Sequence, residues 1–135
     1  MLTVSSTEPY TADELKTLFS SVGWGEELTA EMLWRAIRSS SHCITARSDG
    51  VLAGVVRSMD DGIWSANIDC LVVHRDYQRQ GIAGAMLDAL LRDISHIQYI
   101  SVSPNASEMV PFYQRHGFLL VTDGRLLQRE RREVL

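Results

Sequence analysis

The stretch Leu71-Val-Val-His-Arg-Asp-Tyr-Gln-Arg-Gln-Gly-Ile-Ala-Gly-Ala-Met-Leu87 decides how the rest of the chain is read. An apolar run of β character ends at Val73, and a polar segment follows. Gly81 then opens a run in which Ile82, Met86, Leu87 and Leu90 recur at helical spacing. A strand that feeds a helix through a glycine turn leaves the first N–H groups of the helix without partners and aims them at one point. The positive end of the helix dipole adds to their pull on anions, so phosphate suits such a turn. The glycine pattern alone is a weak signal, because Gly81 and Gly84 would equally serve close helix packing. A Walker A loop needs Gly-Lys-Ser/Thr, which is absent. A dinucleotide-binding unit needs three glycines after its first parallel strand and an acidic residue at the end of the next, and neither condition is met.

Outward from this stretch, the pattern predicts an α/β (α+β) domain. On the N-terminal side, residues 2–6 alternate like an edge strand. Thr11 with Glu14 forms a capping box for a helix that Gly23 stops, with Leu15, Leu18 and Phe19 as its stripe. A second helix starts near Thr29, with Met32, Leu33, Ala36 and Ile37 on one face. Strands are expected over 42–47, 51–59 and 63–73, joined by turns at Asp49-Gly50 and Asp61-Gly62, as in an antiparallel meander. Beyond the glycine helix, a strand is expected over 97–102 and a short helix over 106–115 despite Pro111. Two further strands are expected, over 118–122 and 125–128. The result is one domain over 1–135, a mixed, mostly antiparallel central sheet of six to seven strands with helices on both faces.

Hydrophobic content of 45% and charged content of 22% are those of a globular chain large enough to bury its own core. The net charge of −4 argues against a general binder of nucleic acid or of anionic membranes. Arg125, Arg129, Arg131 and Arg132 are interrupted by Glu130 and Glu133, the pattern of a solvated face. No apolar run nears the ~20 residues that span a bilayer, and the start Met-Leu-Thr-Val-Ser lacks the layout of a signal peptide. A cytoplasmic setting is the default expectation, with Cys43 and Cys70 reduced and buried in strands. His42, His96 and His116 show no metal-ligand spacing, so no metal is expected.

Two segments carry a family resemblance. Gln78-Arg79-Gln80-Gly81-Ile82-Ala83, between the strand ending Asp69-Cys70-Leu71-Val72-Val73 and the helix carrying Met86-Leu87, matches Gln/Arg-x-x-Gly-x-Gly/Ala. Downstream, Asn105-Ala106 precedes Pro111-Phe112-Tyr113-Gln114-Arg115-His116-Gly117-Phe118. Together, in this order, they resemble the GNAT superfamily of acetyl-coenzyme A-dependent N-acetyltransferases. The resemblance covers about Val51 to Thr122.

The resemblance implies the acyl-CoA N-acyltransferase fold, with acetyl-CoA as co-substrate. It places the coenzyme A pyrophosphate on the Gln78, Arg79, Gln80, Gly81, Ile82, Ala83 and Gly84 loop, where Arg79 adds charge. It implies a β-bulge at which the preceding strand splays, so that Leu71, Val72 and Val73 hold the pantetheine arm and an N–H near Leu71 or Val72 stabilises the oxyanion. Tyr113 corresponds to the general acid that protonates the leaving thiolate; the alternative is a core aromatic beside Phe112 and Phe118. Asn105 corresponds to the pantetheine-binding Asn, although the gap to Tyr113 is eight residues where many relatives have seven, and it would serve equally as a helix cap.

In some relatives a glutamate on the strand before the loop is the general base. Asn67 occupies that position here, and an amide cannot accept the proton. Asp69, on the same face, is the nearest carboxylate; it acts as base through a water or serves as a structural hydrogen-bonder. His74, where strand meets loop, reads as structural. The acceptor is expected against the two N-terminal helices. There Trp24 and Glu27, with Glu26, form an apolar and anionic rim that favours a small-molecule amine; Trp34 and Trp64 either line that cleft or pack inside. A protein or peptide amine, a non-catalytic acyl-CoA sensor, and a homodimer through the C-terminal strand remain open.

Overall fold

The computed structural model describes residues 1–104, 106–124 and 127–130, which fall into two compact units, Met1–Pro104 and residues 105–135. The first contains β1 (Leu2–Ser5), α1 (Ala12–Ser20), α2 (Ala30–Arg38), β2 (His42–Ser48), β3 (Val51–Asp60), β4 (Ser65–Val73), α3 (Ile82–Asp93) and β5 (Tyr99–Val102). The second contains a 3-10 turn, Ser107–Met109, and α4 (Val110–Arg115). The sheet runs β1-β2-β3-β4-β5, antiparallel except that β4 and β5, joined through α3, lie parallel. A parallel pair needs such a crossover, and a helix supplies its length.

Local chemistry sets the helix starts. Thr11 caps α1: its hydroxyl accepts from the Glu14 N–H at 3.1 Å, and Glu14 Oε1 accepts from the Thr11 N–H at 3.0 Å. Thr29 caps α2 through the Met32 N–H. Leu15, Leu18 and Phe19 are buried as the periodicity required, as are Leu33 and Ile37. Met32 departs from its expected stripe and is 51% exposed: the buried stripe of α2 is the narrower pair Leu33 and Ile37, one turn apart.

Glu14 also takes the Arg47 guanidinium in a two-point fork, Nη1 to Oε2 at 2.6 Å and Nη2 to Oε1 at 2.9 Å. This fork is the main reason its carboxyl is held down at about 2, well below the ordinary glutamate value of 4.5. The folded state therefore gains stability above pH 4.5, which is lost as the pH falls towards 2. A third of the Glu14 side chain is open to solvent, and after allowing for screening the gain is about 1–2 kcal/mol. Glu14→Gln is expected to lower urea-measured stability by that amount at neutral pH. The difference from the parent should shrink to nothing as the pH approaches 2.

The two sheet faces are separated by strand alternation. Val55 joins Leu52 and Val72 against Leu15, Leu18, Phe19, Leu33 and Ile37, which places α1 and α2 on one face. The neighbouring Gly54 points the other way, towards α3. A Cβ there would lie 2.7 Å from Met86 Cε and 3.1 Å from the Val72 carbonyl oxygen, so glycine is what lets α3 approach. Met86, Leu87, Leu90 and Ile94 are fully buried beneath it.

Three expectations are corrected. The sheet has five strands among the described residues, not six to seven. Residues 118–122, apolar enough to suggest a strand, join no ladder, and Leu119, Leu120 and Val121 are 91%, 62% and 69% exposed. Strand propensity reports only a side chain's fit to a pleated surface, and without a paired neighbour it makes no strand. The last expected strand starts at Arg125, which with Leu126 lies outside the described residues, while Leu127 and Gln128 carry no strand. The expected helix over 106–115 is divided: its beginning is a 3-10 turn, and Pro111 stands in the first turn of α4, where its missing N–H costs nothing.

Candidate active site

β4 changes partners along its length. Its parallel pairing with β5 covers Ser65 to Ile68 and goes no further. On the β3 side Arg57 opposes Asp69 and Val55 opposes Val72, so Cys70 and Leu71 together face Val56. This is a β-bulge, and Cys70 sits in the left-handed region at φ 55. Leu71, Val72 and Val73 therefore lie beyond the β5 ladder, on the end of β4 that follows the bulge.

The chain then makes the 3-10 turn Arg75–Tyr77 and the loop that opens α3. Arg79 (φ 64) and Gly81 (φ 80) both take left-handed conformations, Gly81 as the N-cap with no side-chain cap. Among the described residues nothing accepts from the N–H groups of Arg79 to Gly84. Among the described residues a Cβ on Gly81 would meet no atom within 4 Å, and residues 79–81 are exposed, so the turn is open to solvent. Unpaired donors at a helix N-terminus, facing open space, fit a pyrophosphate group. The Gln78 side chain turns back instead and donates to the Val73 carbonyl at 3.1 Å, pinning the loop to the end of β4. His74 is structural: its Nδ1 accepts from the Asp76 N–H, and its ring stands edge-on to Tyr77.

Beside the bulge, Asp69 Oδ1 accepts from Arg57 Nε at 2.6 Å, and 39% of the aspartate side chain remains open to solvent. Asn67 is exposed two residues earlier. Cys70 does not follow simple alternation into the α3-side core. The bulge turns it towards the face under α1 and α2, where it and Cys43 pack against the Leu15–Val72 cluster. Both cysteines are free. Arg57 opposes Cys43 on one side and Asp69 on the other, so a whole strand, about 10 Å across two ladder steps, separates the thiols. Burial pushes both thiols up to about 11. Neither is a thiolate at neutral pH, which disfavours an acyl-cysteine route. Iodoacetamide is expected to leave both unmodified in the native protein under conditions that label the urea-unfolded chain fully, as read by mass spectrometry.

The loop between α1 and α2 is held at several points. Lys16 Nζ donates to the Gly25 and Leu28 carbonyls at 2.8 and 2.7 Å. Trp24 is half-buried, its ring tilted against Phe19 with centroids 6.4 Å apart, while Glu26 and Glu27 are exposed. Ser21 Oγ accepts from the Arg75 N–H at 3.1 Å and so ties this loop to the segment leading into the phosphate loop, a link with no sequence signal. Trp34 packs against the same core and carries Arg38 over its ring at 4.8 Å. Trp64 neither packs inside nor joins this loop; it is 66% exposed on the β3–β4 turn, at the opposite end of β4 from Val73.

In the second unit Tyr113 is buried, with Phe112 and Phe118 edge-on to its ring at 5.1 and 5.7 Å. Burial raises its phenol above the ordinary tyrosine value, so the hydroxyl keeps its proton at neutral pH. Asn105 lies outside the described residues. A separate cavity of about 370 Å³, lined by Ser5, Tyr10, Arg38, His42 and Asp93 among others, lies at the C-terminal end of α3, a helix length from Gly81. Among the described residues no group of three or more His, Cys, Asp or Glu is placed to hold a metal ion, and no helix is long and apolar enough to cross a membrane.

Comparison with known proteins agrees with this geometry. The family model described as an acetyltransferase (GNAT) domain matches residues 6–128. An uncharacterized N-acetyltransferase, ycf52, of Pyropia yezoensis is 26% identical over 126 residues, covering 90% of this chain and 72% of the relative. Among solved structures, the GNAT family acetyltransferase SP0256 from Streptococcus pneumoniae TIGR4 superposes with a TM-score of 0.83 at 26% identity, covering 98% of this chain and 100% of that one. A putative acetyltransferase from Deinococcus radiodurans R1 gives 0.80 at 28% identity, covering 95% and 88%. With nearly its whole length matched by the family model, on a sheet that splays beside an open amide turn, the chain belongs to the GNAT acetyltransferase family.

Proposed function

We propose that the protein transfers an acetyl group from acetyl-CoA directly to the primary amine of a small molecule. The observation that carries this reading is the row of unpaired N–H groups from Arg79 to Gly84 around an open, left-handed Gly81, immediately after the splayed end of β4. Bound acetyl-CoA supplies a thioester whose carbonyl carbon is the electrophile. The Arg79–Gly84 amides hold the pyrophosphate, and the backbone of Leu71 to Val73 aligns the pantetheine arm. An amide at Leu71 or Val72 donates to the carbonyl oxygen as charge develops on it. Asp69 takes a proton from the incoming ammonium through a water, and the protonated Tyr113 donates to the departing sulfur. Trp24 and Glu27 favour a cationic acceptor.

The test is release of free thiol from acetyl-CoA across a panel of small amines, polyamines and peptide N-termini. The peptides belong there because the ribosomal-protein-S18-alanine N-acetyltransferase from Escherichia coli shares this fold (TM-score 0.72, 18% identity). Turnover with small amines supports the reading, turnover confined to peptides moves the acceptor class, and binding without release for any amine favours a sensor.

A further inference from the structure

Arg57 touches three elements at once. Its Nε donates to Asp69 Oδ1 at 2.6 Å, its Nη1 donates to the Ala36 carbonyl in the last turn of α2 at 3.0 Å, and its backbone stands in register between Cys43 on β2 and Asp69 on β4. The side chain is only 18% exposed. A planar guanidinium in two directed bonds fixes its neighbours more tightly than a point charge does.

What it fixes is the bulge. Asp69 is the last residue of β4 in simple register before it, and the next residue, Cys70, holds φ 55. A non-glycine residue stays in that conformation only where its surroundings over-determine it. One anchor follows the bulge, Val72 opposite Val55, both buried. The other precedes it, Asp69 clamped by Arg57. Without the second anchor Cys70 is free to relax to negative φ, which re-aims the peptide plane that carries the Leu71 N–H.

We propose that Arg57 is a positioning residue for acyl transfer: through Asp69 it locks the β4 bulge and so aims the Leu71 amide, which faces away from β3, at the carbonyl of the bound acyl group. The proposal rests on the acetyl-CoA reading above. It also gives Asp69 a task independent of proton transfer.

The test is isotope-edited infrared spectroscopy of acetyl-CoA labelled with ¹³C at the thioester carbonyl, bound to the full chain. In the parent protein the carbonyl stretch is expected to move to lower wavenumber on binding. Arg57→Met is expected to lose most of that movement while its Kd for coenzyme A stays within about threefold. Asp69→Asn, which keeps an oxygen opposite Nε, is expected to retain most of the movement. Should Arg57→Met not fold, Arg57→Lys, which cannot reach Asp69 and Ala36 together, carries the same expectation. A purely structural Arg57 would lower the melting midpoint and leave the bound carbonyl unchanged. That result in a folded variant overturns the proposal alone, as does a parent protein that binds coenzyme A with no carbonyl movement. Failure of the parent to bind coenzyme A overturns the functional reading as well.

Discussion

Gly81→Glu is expected to weaken coenzyme A binding at least hundredfold, about 2.7 kcal/mol, while the far-UV circular dichroism of the protein stays that of the parent. Two causes add. A glutamate carboxylate would stand at the turn whose unpaired N–H groups form the anion site, opposing a pyrophosphate by charge. Its Cβ must also adopt φ 80, a conformation that costs a non-glycine residue roughly 1–2 kcal/mol. Gly81→Ala separates the two. Among the described residues no atom lies within 4 Å of its Cβ, so backbone strain is what opposes the alanine, and its affinity loss should be much smaller. Thermal shift with coenzyme A reads both variants, because saturating ligand stabilises the parent by about 2.7 kcal/mol at a hundred times Kd. Equal affinity in Gly81→Glu and the parent would remove the phosphate loop from the account.

Tyr113→Phe is expected to lower kcat about a hundredfold or more, the usual weight of a general acid, with little change in coenzyme A affinity. The hydroxyl is the only group removed, and the ring contacts with Phe112 and Phe118 persist, so the melting midpoint should move by no more than a few degrees. A stability loss with unchanged kcat would assign Tyr113 to packing alone. The raised phenol value means that loss of kcat at high pH through this group should begin above the ordinary tyrosine range.

Much of this architecture was legible because local chemistry and tertiary demand agree. Thr11 with Glu14, Thr29, Asp49-Gly50 and the stripe Ile82–Met86–Leu87–Leu90 all fold as their chemistry directs. The loop from Gln78 to Gly84 was legible for the same reason: the glycine, the helix start and the preceding strand are one contiguous signal. What escaped the sequence depends on contacts remote along the chain. Nothing local tells that 118–122 lacks a ladder partner, or that Arg57 reaches Asp69 and Ala36. Nor does it tell that Ser21 receives the Arg75 N–H from 54 residues away. Cys70 illustrates the limit most sharply. Alternation sends it to one face, and a single inserted residue in the bulge sends it to the other.

The measurement that bears most directly on the whole account is isothermal titration of coenzyme A into the 135-residue chain at low and high salt. Saturable binding at one site per chain, weakening as salt rises because the contact is to a diphosphate, is the expected result. A flat titration, with neither heat nor saturation at millimolar ligand, would contradict it.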